Sequence, residues 1–557
     1  MKKLILILIV SLVSMMSQAM QYDVDAQEWC RNIRMGWNLG NSLEAQGSET
    51  SWGNPATTRD MIKAVKAEGF NAIRIPVRWG QHCNMQTMDI DAVWASRVKE
   101  VVDWCIDEDL YVIINTHHDT WLEHYPTNAK KAELNSKLKA LWTNIANLFA
   151  DYDGRLAFAG LNEVNAGGDW GLTPTQENYD VTNSFNQTFV DAVRATGGNN
   201  AKRNLIVQSY RCNPSMGLSS LVVPNDPAEK RLSVEFHYYD PYSYCSGAKD
   251  CYNYWGIAFA DKGTVTPDGN EKSLANFFLT LREKWCEQGL GVVIGEYGCS
   301  NHYTSSDRTT QEDNMRYYMK CVVSEARKNG FAAFVWDNNA FGNGSEKFGI
   351  FNRKNNMSVD APFFLNGIKE GAKTQYVADV DYTLTDKDFG DGGRMVWSGR
   401  QTLEWGQPIK IAASEFKNFS KQVTLVFYYD QLADSDYEDI QPCNSSWKSM
   451  TFEVEGMKFS GDFNPRSFYG TSGKSHITPM VFTGSQLTSL KSGGAIIQGH
   501  GVAVNKIVVM ESPNAINLPS FDTPDSASSR YSLGGVKVHS QHRGEVYIHK
   551  GRKYVAH

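Results

Sequence analysis

Between residue 27 and about residue 372, short apolar runs alternate eight times with longer amphipathic stretches. This alternation constrains the fold more than any single motif, because parallel strands must be joined by long crossovers and a helix is the usual crossover. Strands are expected at 33–39, 70–77, 111–116, 156–162, 205–209, 233–238, 292–296 and 331–336, with helices at 57–68, 91–107, 134–150, 177–196, 273–288 and 311–329. Eight units predict an α/β fold, a (β/α)8 TIM barrel with long loops. A doubly wound open sheet fits less well. No GxGxxG turn follows an early strand, and polar residues gather at the ends of many strands rather than at one switch point.

In such a barrel all strands point one way, so their C-terminal ends surround a single mouth. Asn38 and Asn41, Arg74, His117 and His118, Asn162 and Glu163, His237 and Tyr239, Glu296, and Trp336 with Asp337 are expected there. Two of these are awkward on hydrophobicity alone. Glu296 ends the run Val292-Val293-Ile294-Gly295, and Glu163 ends Phe158-Ala159-Gly160-Leu161-Asn162. An ionised carboxylate taken out of water is costly unless paired or hydrogen-bonded, and a second acid in the same setting points to chemistry rather than to a loop cap.

Two carboxylates across one cleft are what glycosidic bond hydrolysis needs. One protonates the leaving oxygen while the other attacks or stabilises the oxocarbenium-like anomeric carbon. The acids must differ in pKa, so their neighbours must differ. Asn162 is placed to bond a sugar 2-hydroxyl, and Arg74 to keep Glu296 ionised and lower its pKa. Tyr239 and His237 can orient the acids, and Trp336 offers a flat floor to a pyranose ring. The run His117-His118-Asp119 has no third ligand at a fixed helical spacing, so neither a metal nor a cofactor is expected.

These residues sit in segments that resemble glycoside hydrolase family 5, the cellulase-like group of clan A. The matching segments are Gly36-Trp37-Asn38-Leu39-Gly40-Asn41-Ser42-Leu43-Glu44, Ala72-Ile73-Arg74-Ile75-Pro76-Val77-Arg78-Trp79, Asn115-Thr116-His117-His118-Asp119 and Leu161-Asn162-Glu163. They continue with Phe236-His237-Tyr238-Tyr239, Ile294-Gly295-Glu296-Tyr297-Gly298 and Trp336-Asp337-Asn338, in the family's order. The resemblance implies a retaining double displacement with Glu163 as acid/base and Glu296 as nucleophile. The family's other conserved positions would fall on Arg74, His117, Asn162, His237, Tyr239 and Trp336. Val164 stands where the family commonly has proline, which bears on loop shape and subfamily rather than on proton transfer. The implied activity is an endo-β-1,4-glucanase on cellulose-like, mixed-linkage or xyloglucan chains, with mannan the nearest alternative. A catalytically silent carbohydrate-binding surface protein would have lost an acid, and both are present.

A net charge of -7 gives no reason to expect a nucleic-acid or membrane-surface partner. Lys2 and Lys3, the apolar run from Leu4 to Val13 and Ser17-Gln18-Ala19 read as a bacterial secretory signal peptide, residues 1–19. The catalytic domain is expected over 20–375. Over 376–512, short alternating runs with almost no helical periodicity predict a β-sandwich, whose Trp397, Trp405, Tyr428, Tyr429, Trp447, Phe468 and Tyr469 resemble the aromatic load of carbohydrate-binding modules. Residues 513–529 read as a Pro/Ser/Asp linker, and 530–557 resembles a type IX secretion sorting domain, which implies export to the outer cell surface, freely or anchored. A monomer is expected, and Cys245 and Cys251 are placed to staple the loop around Tyr244.

Overall fold

The computed structural model describes residues 20, 22–378, 393–432, 435–469 and 473–511, with the backbone of four short strands between 530 and 555. The expected leader at 1–19 and linker at 513–529 lie outside the described residues. Eight parallel strands close into a barrel. They are β1 (Gly36–Asn38), β2 (Ala72–Ile75), β3 (Tyr111–Asn115), β4 (Leu156–Ala159), β5 (Leu205–Gln208), β6 (Leu232–Tyr238), β7 (Gly291–Tyr297) and β8 (Ala332–Val335).

Successive side chains on a strand face opposite ways, and here both faces are buried. Ala72, Ile113, Ala157, Ala159, Ile206, Val293, Ala332 and Phe334 form one cluster with Trp29 of the helix Ala26–Asn32, which closes the bottom of the barrel through a Trp29 Nε1 bond to the Gly154 carbonyl at 3.0 Å. The alternate residues, including Ile73, Val112, Val292 and Ile294, pack outward against the helices. Several helix starts are written locally: Thr58 caps Arg59–Ala67, Asp91 caps Ala92–Asp107, and Asn270 with Ser273 forms a capping box on Glu271–Trp285.

One irregularity matters for function. Along β6 and β7 the register runs Val234 to Val292, Glu235 to Val293 and Phe236 to Ile294, then skips Gly295 so that His237 faces Glu296. Strict alternation would send Glu296 outward with Ile294. The bulge at Gly295 turns it into the barrel mouth beside His237.

The later region holds a six-stranded sheet, in the order 394–402, 502–510, 422–431, 475–483, 451–454, 457–460, and a three-stranded sheet, 409–411, 495–500, 439–443. The near absence of helix expected here needs correction. The helix Gly484–Gly493 buries Leu487 and Leu490, a pair too sparse to register as periodicity. The strands Asp439–Cys443 and Ser475–Thr483 contain Pro442 and Pro479, which argue against strands in sequence. Pro442 is tolerated because its strand lies at a sheet edge. The aromatic residues divide: Tyr429, Phe468 and Tyr469 fill the core, while Trp405 and Trp447 are exposed.

This region packs on the barrel through the helix Glu271–Trp285 and the loop before it. Lys272 pairs with the buried Glu455 and lies over the Tyr469 ring at 4.6 Å, and Ile257 and Val265 pack against the sandwich core. The terminal strands Arg530–Ser532, Lys537–Val538, Val546–His549 and Arg552–Val555 form a four-stranded antiparallel sheet. All ten cysteines are free, so the expected Cys245–Cys251 staple is not formed. Burial holds the Cys245 thiol well above its usual range, and its hydrogen-bond partner is Tyr318.

Candidate active site

Arg74, at the end of β2, is fully buried and organises the barrel mouth. Its Nη1 donates to Asn38 Oδ1 at 3.0 Å and to Glu296 Oε1 at 3.1 Å, and its Nη2 to Asn162 Oδ1 at 3.0 Å and Glu235 Oε1 at 3.0 Å. Asn38 in turn donates from Nδ2 to the Gly295 carbonyl at 2.8 Å, fixing the bulge that aims Glu296. Tyr239 donates to Glu296 Oε2 at 2.9 Å, so both oxygens of that acid are held.

Glu163 stands across the mouth with one nitrogen partner, His237 Nδ1 at 2.7 Å, and its side chain is 24% exposed against 8% for Glu296. One oxygen from each acid and Nδ1 of His237 lie within 4.8 Å of one another. His117 Nε2 is 3.4 Å from Asn162 Nδ2 and 3.9 Å from Glu296 Oε1, and its ring lies parallel to Trp336 at 6.0 Å. His118, in left-handed backbone, turns its ring edge toward Trp52 at 5.6 Å, so His117 rather than His118 faces the nucleophile side. Asp119 accepts from the N–H groups of Trp79 and Gly80, tying this loop to the one after Arg74.

The structure thus brings Asn38, Arg74, His117, His118, Asn162, Glu163, His237, Tyr239, Glu296 and Trp336 to one mouth. Asn41 and Asp337, at the same strand ends, serve the framework: Asp337 accepts from Trp37 Nε1 at 3.0 Å and from the Phe351 N–H at 3.1 Å, and the Asn41 N–H donates to Glu44. Glu235, Gln208 and Cys212 join the network without having been anticipated. Cys212 donates from Sγ to the Asn162 carbonyl at 3.1 Å. The one sequence signal for Glu235 is an acid inside an otherwise apolar strand, two residues from a histidine.

Burial pushes the Glu296 carboxyl up, and the charges of His237 and Arg74 with the Tyr239 hydrogen bond offset only part of that push. Arg74 does pull it down as expected, but burial, with the charge of Glu163 added, outweighs that pull. Burial alone would lower His237, yet its pKa stands well above the usual imidazole range. Burial raises the neighbouring Cys212 thiol to about 12, so that group is neutral at working pH, and what holds His237 up is the charge of Glu296 and the hydrogen bond to Glu163. His117 is driven down by burial first, then by His118 and Arg74, and stays a neutral ring.

A closed parallel barrel with two unlike carboxylates at its C-terminal mouth is the arrangement of a (β/α)8 glycoside hydrolase. The chain belongs to glycosyl hydrolase family 5: the family model Cellulase (glycosyl hydrolase family 5) matches residues 38–342. Endoglucanase B of Clostridium cellulovorans is 38% identical over 371 residues, which are 65% of this chain and 79% of that protein. Among solved structures, a Bacteroides ovatus GH5 xyloglucanase in complex with a XXXG heptasaccharide is 34% identical with a TM-score of 0.59, covering 63% of this chain and 77% of that one. A GH5-4 broad specificity endoglucanase from Clostridium cellulovorans is 33% identical with a TM-score of 0.56, covering 63% and 97%.

Proposed function

We propose that this chain is a retaining endo-β-1,4-glucanase in which Glu296 attacks the anomeric carbon while Glu163 protonates the leaving oxygen. The observation that carries this reading is the approach of one oxygen of each acid to within 4.8 Å. Retaining enzymes hold their carboxyl groups about 5–5.5 Å apart, whereas inverting ones leave about 6.5–9.5 Å for a water. The unlike surroundings agree. Glu296 accepts one donor on each oxygen, from Arg74 and Tyr239, which orients it to attack, while Glu163 meets only His237 and faces solvent. After the C–O bond to the leaving sugar breaks, Glu163 is a carboxylate. It then takes a proton from the water that cleaves the glycosyl ester on Glu296.

The Clostridium cellulovorans relative is named an endoglucanase, which supports the glucanase reading, and the Bacteroides ovatus xyloglucanase makes branched xyloglucan the second reading. One experiment addresses both: proton NMR of the first products from carboxymethylcellulose, lichenan, xyloglucan and mannan. The β-anomer is expected first, from the glucans. Initial α-anomer would exclude the double displacement, and cleavage of mannan alone would exclude a glucanase.

The sandwich is read as a second glycan contact. Trp405 Nε1 donates to the Tyr437 hydroxyl at 2.6 Å and Tyr437 stacks on His500 at 4.3 Å, so two rings 44% and 41% exposed are held in place. Rigid exposed rings suit the C–H face of a sugar. Trp405→Ala with Tyr437→Ala is expected to weaken retention on insoluble glucan about tenfold; unchanged retention in a pull-down excludes this surface. The leader-like residues 1–19 and the tail 530–557 support export and action at or beyond the outer cell surface.

A further inference from the structure

Glu235 sits two residues before His237 on β6, its side chain wholly buried, yet it touches a partner of each proposed catalytic acid. Its Oε1 accepts from Arg74 Nη2 at 3.0 Å, and Nη1 of the same guanidinium holds Glu296 at 3.1 Å. That oxygen also lies 3.4 Å from His237 Nε2, whose other ring nitrogen is 2.7 Å from Glu163 Oε1. Oε2 accepts from Gln208 Nε2 at 2.7 Å. Gln208 is oriented because its own oxygen accepts the Leu161 N–H at 2.9 Å, on the strand end that carries Glu163.

The backbone makes room for this carboxylate. A Cβ at position 295 would stand 1.8 Å from Glu235 Oε1, and Gly295 is the residue at which β7 bulges. The same glycine therefore admits Glu235 and turns Glu296 inward.

We propose that Glu235 is a positioning residue for both catalytic carboxylates: it accepts Nε2–H of His237, so that Nδ1 shares a proton with Glu163, and it divides Arg74 between itself and Glu296. The inference rests on the roles assigned to Glu163 and Glu296 above. The shared proton is the one that passes from Glu163 to the glycosidic oxygen as the bond to carbon breaks, and it returns from the attacking water in the second step. The groups facing Glu235 are Arg74 from β2, Gln208 from β5, His237 from its own strand and, across Arg74, Glu296 from β7. Cys212, a neutral thiol, also contacts His237.

The sign of the effect follows from the charges. A negative group beside His237 strengthens the hold on the proton shared with Glu163, and by drawing on Arg74 it leaves Glu296 easier to protonate. In Glu235→Gln both influences vanish, so both limbs of the pH profile of kcat/KM should move to lower pH. Turnover on lichenan should fall about tenfold to a hundredfold with KM nearly unchanged, as for other groups that orient reacting residues from behind. Glu235→Asp keeps the charge, so its limbs should stay at the wild-type pH while kcat falls through shorter reach.

A Glu235→Gln enzyme with wild-type kcat, or with lower kcat and an unmoved profile, overturns the proposal. So does an Asp variant whose limbs leave the wild-type pH or whose kcat equals that of wild type, and this second variant decides the matter where Gln fails to fold. Glu163→Gln and Glu296→Gln serve as references: if they stay active, the assignment of the acids has failed, whereas if they are inactive and Glu235→Gln behaves as wild type, only the role of Glu235 has failed.

Discussion

Glu296→Ala is expected to lower kcat on carboxymethylcellulose and lichenan by about 10^4-fold or more, with little change in melting temperature. The size of the loss follows from the chemistry: without a carboxylate at this position no glycosyl ester forms, and no other group in the mouth can replace it. Tyr239 and Arg74, which donate to its two oxygens, carry no nucleophile of comparable strength. The modest effect on stability follows from what is removed. Burial holds the Glu296 carboxyl up, so its ionisation in the fold is an expense that alanine does not incur. Turnover within tenfold of wild type on both substrates would remove Glu296 from the mechanism.

Arg74→Leu is expected to be the most damaging replacement for stability, by about 3–5 kcal/mol, because one buried cation serves two buried carboxylates. The deficit should depend on pH in a defined direction. In the native protein burial tends to raise Glu235, but Arg74, His237 and Gln208 outweigh it and hold the carboxyl below its usual range. A depressed carboxylate contributes stability above its unfolded pKa and loses it as pH falls through the folded value. Without Arg74 that contribution disappears, and burial raises Glu235 and Glu296 together. The variant should therefore lie nearest to wild type in acid and fall furthest behind at neutral pH. Thermal melts of both proteins across that range test this, and a deficit independent of pH would mean that Arg74 acts by packing alone.

The barrel was legible because eight apolar runs separated by amphipathic stretches admit few other topologies, and the mouth was legible because a parallel barrel collects its strand ends. Glu163, Glu296 and Arg74 are legible by that route. Glu235 is not: its one signal, an acid within an apolar strand, does not say where it points, because that strand turns both faces to packed interior. Nor is the bulge, since Gly295 in sequence reads as a weak spot in a strand rather than as the residue that reverses the direction of the next side chain. The pKa of Glu296 escaped for a related reason: Arg74 is visible as a partner in sequence, but the depth of burial that outweighs it is not. In the sandwich, the unanticipated elements are those with proline in a strand or two leucines on a short helix, where tertiary packing overrides local preference.

The join between the helix Glu271–Trp285 and the sandwich bears on how this protein can be divided. The expected end of the catalytic domain at residue 375 invites a cut there. Such a cut would strip Ile257 and Val265 of their apolar cover and take from Lys272 both the Glu455 carboxylate and the Tyr469 ring. An excised barrel would thus present a sticky, newly charged flank on the helix that leads into the nucleophile's own strand. For recombinant work, the practical unit runs through residue 511, or the barrel alone with polar residues placed at 257 and 265.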